Sequence, residues 1–476
     1  MSLNFVCCLV LKNQSLYEIF DNETHTNFDS ATGPLWRATF IPSNDSPRES
    51  NCYTSNIMLT FNHAIVDGFT CFTICSSFLK VLNDVIGGKV EESYNFGEFN
   101  DGHETEELAK QKIESLNRDQ ECSETSPSPD RDSECSETSP TSPSPECSET
   151  SPTELNTEGI KLNDYFPVSG NEEKKTKFIH GEIDEETTKR LRVVFKFREI
   201  TFNSGFSAAM NWGLMELLVE KGLAEEVIDL RSEHALNMRR YWEEHSTPQL
   251  GVHSGALEIV SKTDKNVGTK FWDYAKTFDR DMKIALENRE GIESNPKIYI
   301  YDFLGPNVDF TKLLENYPPP KSYYGTTNMG DLTSIVQGRR DHVGIKWIKR
   351  AASVHGINAC LVAFFHTYEN RCLYCIAYST HIVKSRPTRV SSILPELSER
   401  ENLDSYSGNS EINLKMSVPF SKVRKLRPNE IRLELSQSEF GFSNSCYWLL
   451  LESVNEELEE EQIEEALRIL FRQGEI

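Results

Sequence analysis

Between about residues 117 and 159 the chain carries ECSETSP three times, at 121–127, 134–140 and 146–152, embedded in Ser, Thr, Pro and Glu. Such a stretch has almost no apolar side chains whose burial could offset the entropy of ordering it, so no core can run through it. The 476 residues therefore divide into an N-terminal part, 1–116, a disordered repeat tract, 117–159, and a C-terminal part, 160–476. Each outer part is long enough for a core of its own. The recurring Ser-Pro and Thr-Pro steps fit a phosphorylated tether, and duplication of repeats in a plain spacer fits them too.

Composition narrows the function classes. Acidic residues number 74 against 50 basic ones, a formal charge of −24, and the basic pairs at 239–240 and 339–340 and the run 346–350 are short and scattered. A field of that sign repels phosphate backbones, so nucleic acid is not an expected partner. No run approaches the ~18 uninterrupted apolar residues of a membrane span, and MSLNFVCCLVLKNQ lacks the basic start and small-residue cleavage site of a signal peptide. A cytoplasmic, monomeric protein is expected. Its twelve cysteines then read as reduced thiols, most of them inside apolar runs. Cys372 and Cys375 form the one CxxC, but on a strand residues three apart face opposite ways, which argues against a shared metal.

Periodicity outlines an α+β chain. Strands are expected at 4–11, 35–42 and 56–62, with a loop between the first two. Phe69, Phe72, Cys75, Leu79, Leu82 and Ile86 recur at helical spacing across 68–86. Beyond the tract, 178–184 reads as a strand and 185–197 as a helix with its acidic end first. A second helix covers 202–222, capped by Asn203 or Ser204 and stopped by Gly222. Strands at 233–241 and 252–261 precede a helix at 270–288. The run 357–379 folds on itself as a hairpin turning at 368–371, and SCYWLLLES forms a last strand. In the final helix Ile463, Ala466, Leu467, Leu470 and Phe471 make one buried stripe.

The stretch that carries chemistry is FNHAIVDGFT, 61–70. A neutral imidazole at a strand end, His63, can take a proton from an alcohol, thiol or amine near neutral pH. A short carboxylate at i+4, Asp67, more often anchors a turn or pairs with a distant arginine, and Gly68 lets the chain enter a helix closely packed. From these residues alone a histidine bordering a core outweighs a catalytic base. Cys71 and Cys75 read as packing thiols, and His253 and His366 as core or edge residues.

NHAIVDG resembles the HxxxD motif of the chloramphenicol acetyltransferase-like superfamily, which includes condensation domains and alcohol acetyltransferases. GPLWRATFI, LNMRRYWEE with LGVHSGALEI, TTNMGDL and HTYENRCLYCIAYSTHIV resemble further segments of that superfamily, in the family's order. The DFGWG motif of the plant branch is absent. The resemblance implies two acetyltransferase-like subdomains of mixed sheets covered by helices, arranged as a V around a central tunnel. It implies His63 as the general base that lets a hydroxyl or amine attack an acyl thioester, with acyl-CoA as co-substrate and no permanently bound cofactor. It implies that Asp67 turns away from substrate to pair with Arg239 or Arg240, and that Asn328 or amides near Gly68 meet the oxyanion. Before GPLWRATFI this chain supplies one strand and a loop where the family has a strand and a helix, so 1–116 is expected to build an incomplete half. An inactive, partner-binding protein regulated through its tract is the alternative, and condensation on acyl carriers a weaker third.

Overall fold

Cys52–Asn62 (β2) is buried on both faces from Ile57 onward, and successive side chains alternate, Ile57, Leu59 and Phe61 to one side of a sheet and Met58 and Thr60 to the other. This strand pairs on one edge with Trp36–Ile41 (β1) and on the other with Asn444–Val454 (β12), which in turn pairs with Val343–Ala352 (β9). The order is β1-β2-β12-β9, antiparallel throughout. The Ile57–Leu59–Phe61 face packs under two helices, Gly68–Ile86 (α2) and Glu460–Arg472 (α7), which contribute Phe72, Phe78, Leu82, Ile463, Leu467 and Leu470 to one core. Each fully buried side chain of this size contributes about 1.5–3 kcal/mol. By length and composition α2 could cross a membrane, but 67% of its most apolar window is buried in the protein, as a core helix requires.

A second sheet has six strands: Thr176–Ile183 (β4), Arg371–Ser379 (β11), Leu361–Tyr368 (β10), Tyr324–Asp331 (β8), Val227–Asn237 (β5) and Ser254–Asp264 (β7), in that order. β8 runs parallel to both β10 and β5, and the remaining pairs are antiparallel, so this sheet is mixed. Its outer face lies under Glu185–Phe197 (α4), Phe202–Glu220 (α5) and Phe271–Glu287 (α6). The inner faces of the two sheets meet through Met58, Ala352, Cys446, Trp448, Phe364, Cys375 and Ala377. The molecule is α+β, two sheets backed by helices. Smaller elements complete it: Glu98–Phe99 (β3) beside Gln249–Leu250 (β6), and the helix His103–Glu124 (α3).

The computed structural model describes residues 15–29, 33–42, 52–100, 102–124, 175–243, 245–292, 322–336, 341–354, 361–380, 444–454 and 458–472. The strand expected at 4–11 and the repeats beyond residue 124 fall outside them. Several expectations are corrected. The loop before β1 contains a helix, Leu16–His25 (α1), started by Ser15 in a reciprocal capping box with Glu18. Its Ile19 and Phe20 are buried between the sheets. Glu23 accepts from Arg37, Thr39 and Thr60 on the first sheet, while Thr176 of β4 donates to His25. The tract does not begin at 117, because α3 continues to Glu124. Thr201, not Asn203 or Ser204, caps α5. Residues 233–241 are strand only to Asn237, and TTNMGD belongs to β8. Finally, β9 and β12 lie in the C-terminal part of the sequence yet complete the sheet begun by β1 and β2.

The hairpin expected at 368–371 is present. Glu369 and Asn370 take φ of 49° and 63°, the pair of left-handed conformations a two-residue turn of this twist demands.

Candidate active site

The motif sits where β2 ends and α2 begins. After Asn62 the chain turns, with the Ala64 amide held by Asn62 Oδ1 at 2.9 Å, and places His63 on the exposed side of the turn. His63 Nδ1 lies 2.7 Å from the Val66 carbonyl oxygen. A carbonyl can only accept, so Nδ1 carries the proton and the lone pair of the neutral ring resides on Nε2. The ring thus has its basic nitrogen defined and its other nitrogen tethered.

Asp67 points the other way. Its side chain is 5% exposed and caps α2 by accepting from the Thr70 amide at 2.9 Å. Arg239 Nη1 donates to its Oδ2 at 2.6 Å, and the His253 amide donates to the same oxygen at 3.0 Å. Burial alone would raise the carboxyl's pKa, but the Arg239 charge, its hydrogen bond and the amides of Thr70 and His253 together hold it below the usual range. Arg239 also donates to the carbonyls of Gln249 and Gly251 and to Thr70 Oγ1, with its guanidinium over the rings of Phe69 and Trp242. Asp67 N donates to the Gly251 carbonyl and Thr70 Oγ1 accepts from the Gly251 amide. One arginine therefore joins the start of α2 to the segment between β5 and β7, 172 residues away in sequence. Beside it opens a hollow of about 530 Å³ lined by Phe69, Arg239, Trp242, Glu243, His245 and Thr247.

Of the two arginines the sequence left open, Arg239 is the partner of Asp67, and Arg240 is exposed with its guanidinium against Tyr241. Gly68 has a packing role: a Cβ there would stand 2.8 Å from Met329 Sδ, so the first turn of α2 and the end of β8 meet closely and a larger residue would require the flexible Met329 side chain to shift. Asn328, next to Met329, donates to Asn203 Oδ1 at 3.2 Å and accepts from the Gly330 amide at 2.8 Å. Its described bonds thus fasten the end of β8. Thr70, Gly251 and Met329 complete the site, and nothing in their residue types singled them out.

The remaining titratable candidates lie inside. His253 and His366 are 0% and 2% exposed. Cys71 and Cys75 belong to α2 and are buried, and burial pushes both thiols up. Cys372 belongs to the core beneath α5 and Cys375 to the cluster between the sheets, on opposite faces of β11. Among the described residues no three His, Cys, Asp or Glu side chains are grouped to hold a metal.

No protein-family model matches the chain, and no curated protein sequence matches it. Solved structures to which it is similar include a trichothecene 15-O-acetyltransferase from Fusarium sporotrichioides, with 9% identity, 82% of this chain and 76% of that one covered, and a TM-score of 0.49. The epimerization domain from the third module of tyrocidine synthetase B is 10% identical, with 82% and 80% covered and a TM-score of 0.45. The condensation domain of the monacolin K polyketide synthase is 13% identical, with 82% and 78% covered and a TM-score of 0.44.

Proposed function

We propose that the chain transfers an acyl group from an acyl thioester, such as acyl-CoA, to a hydroxyl or amine acceptor, with His63 as general base. The observation that carries this reading is the split of labour within the motif. The His63 ring is exposed with its basic nitrogen fixed by the Val66 carbonyl. Asp67 is buried, ionised and committed to Arg239. In this scheme Nε2 of His63 removes the acceptor's proton as its oxygen or nitrogen bonds to the thioester carbon. The tetrahedral oxyanion collapses, the carbon–sulfur bond breaks, and the imidazolium returns its proton to the departing thiolate. No acyl-enzyme is formed, and the chemistry draws on no metal.

The test is thiol release from a panel of acyl-CoAs offered with candidate alcohols and amines. His63→Ala removes the base at the cost of one part-buried hydrogen bond to the Val66 carbonyl, so turnover is expected to fall by about 10²–10⁴-fold while stability changes by only about 1 kcal/mol. Undiminished turnover in that variant would overturn the assignment.

A further inference from the structure

Arg350 is a buried arginine with no carboxylate beside it. It projects from β9 of the four-stranded sheet, is 4% exposed, and among the described residues makes no ion pair. Its guanidinium reaches across to the six-stranded sheet instead. Nη1 donates to Thr327 Oγ1 at 2.9 Å, and Nη2 donates to the carbonyls of Thr327 on β8 and Phe365 on β10, the latter at 3.2 Å. Phe72 of α2 and Phe364 of β10 flank it at 5.9 and 5.5 Å from their centroids. Among the described residues its Nε has no partner, nor has Nδ1 of His366, whose Nε2 bonds the Ile348 carbonyl and whose ring packs edge-on against the same Phe72.

Burying an uncompensated guanidinium costs several kcal/mol, and a leucine or methionine would fill the same space without that cost. Desolvation is severe enough to lower the arginine's pKa to about 10. The feature that sets Arg350 apart is what its bonds hold. Thr327 stands one residue before Asn328 and two before Met329, the side chain that occupies the room left by Gly68 at the start of α2.

We propose that Arg350 is a positioning residue for the His63 site, clamping β8 from the opposite sheet so that the Asn328–Met329 segment stays against Gly68 and walls the site; this rests on the acyl-transfer reading above. It acts through β8 and touches no reacting atom. Arginine is required because one planar fork must bond two strands at once, which a lysine ammonium on a flexible stem cannot reproduce.

Two measurements on Arg350→Met and Thr327→Val test this, compared with the wild type at a temperature where circular dichroism shows all three folded. Hydrogen exchange needs no substrate. It is expected to quicken by about tenfold or more in Tyr324–Asp331 and in the first turn of α2, and to stay unchanged in α6 and β7. In the thiol-release assay a displaced wall raises KM and lowers kcat together, whereas a smaller folded fraction would lower apparent kcat alone. Arg350→Met is expected to lose about a hundredfold in kcat/KM and Thr327→Val less, because only one of the clamp's bonds is lost. Unchanged exchange in β8 overturns the clamp. Quickened exchange with KM and kcat per folded molecule intact overturns the positioning role. A wild type that releases no thiol from any acyl-CoA fails the acyl-transfer reading instead, while the exchange result still decides the clamp.

Discussion

Asp67 shows how little of a side chain's role lies in its identity. One carboxylate accepts from a helix-start amide, the amide of a distant loop and a guanidinium, so removing it uncaps α2 and strands a half-buried arginine. Asp67→Ala is expected to cost about 3–5 kcal/mol in denaturant unfolding and to reduce turnover as His63 loses its support. A variant of native stability that is nonetheless inactive would contradict this account. The pH dependence has a definite sign. The folded pKa is depressed, so the pair's contribution is complete above the ordinary aspartate range and is lost as pH falls toward the lowered value. That Asp67 would anchor the turn and pair with a distant arginine was legible in the sequence, because a short carboxylate four residues past a strand end more often serves a turn. The choice between Arg239 and Arg240 was not. It depends on the short turn after Asn237, which aims one side chain inward and the next outward.

At the scale of elements, legibility followed amphipathic spacing. The bounds of α2 came directly from its apolar spacing, although burial wraps most of the way round the helix, taking in Thr70, Ile74, Val81 and Asp84 beside the stripe through Phe72, Cys75, Leu79 and Leu82. The helix α1 escaped because it buries only Ile19, Phe20 and Thr24, and its other anchors are polar. The strand β9 was hidden by its lysines, Lys346 and Lys349, which lean to solvent or over the rings of Trp347 and Trp448 while Ile345 and Ile348 enter the core. How α2 finds β9 is settled by one polar residue. Asn83, 3% exposed, donates to the carbonyls of Leu79 and Val343 and accepts from the amides of His342 and Val343. Asn83→Leu keeps the volume and leaves those backbone groups unpaired, at an expected cost of about 2–4 kcal/mol. Because the latch grips the far end of α2 from the motif, turnover per folded molecule should stay near the wild-type value, as thiol release beside a denaturant titration would show. A loss of turnover at full folding would mean that the helix transmits strain along its length.

For the molecule as a whole, the sequence could not say which strands share a sheet. Burial patterns mark a strand's faces but not its neighbours, so nothing in 343–352 or 444–454 announced that they join β2. That closure buries titratable groups between and behind the sheets. His180, His234 and His366 are held neutral, each pushed down to about 3, chiefly by desolvation, with the Lys349 charge adding to it at His180 and the Arg350 charge at His366. Unfolding returns each to a pKa near 6.5, so between roughly pH 3 and 6.5 the unfolded chain binds protons that the folded one excludes. Stability therefore rises with pH through that window and levels off above it. Near pH 5 these three groups should make unfolding take up about three protons, read from the slope of unfolding free energy against pH. Among the described residues His234 exchanges hydrogen bonds with Ser232 and Thr326 and lies apart from the motif's own contacts. His234→Gln should therefore lower the uptake by about one proton while turnover per folded molecule stays near the wild-type value. An unchanged slope in that variant would place the excluded protons elsewhere and undo the link between sheet closure and acid sensitivity.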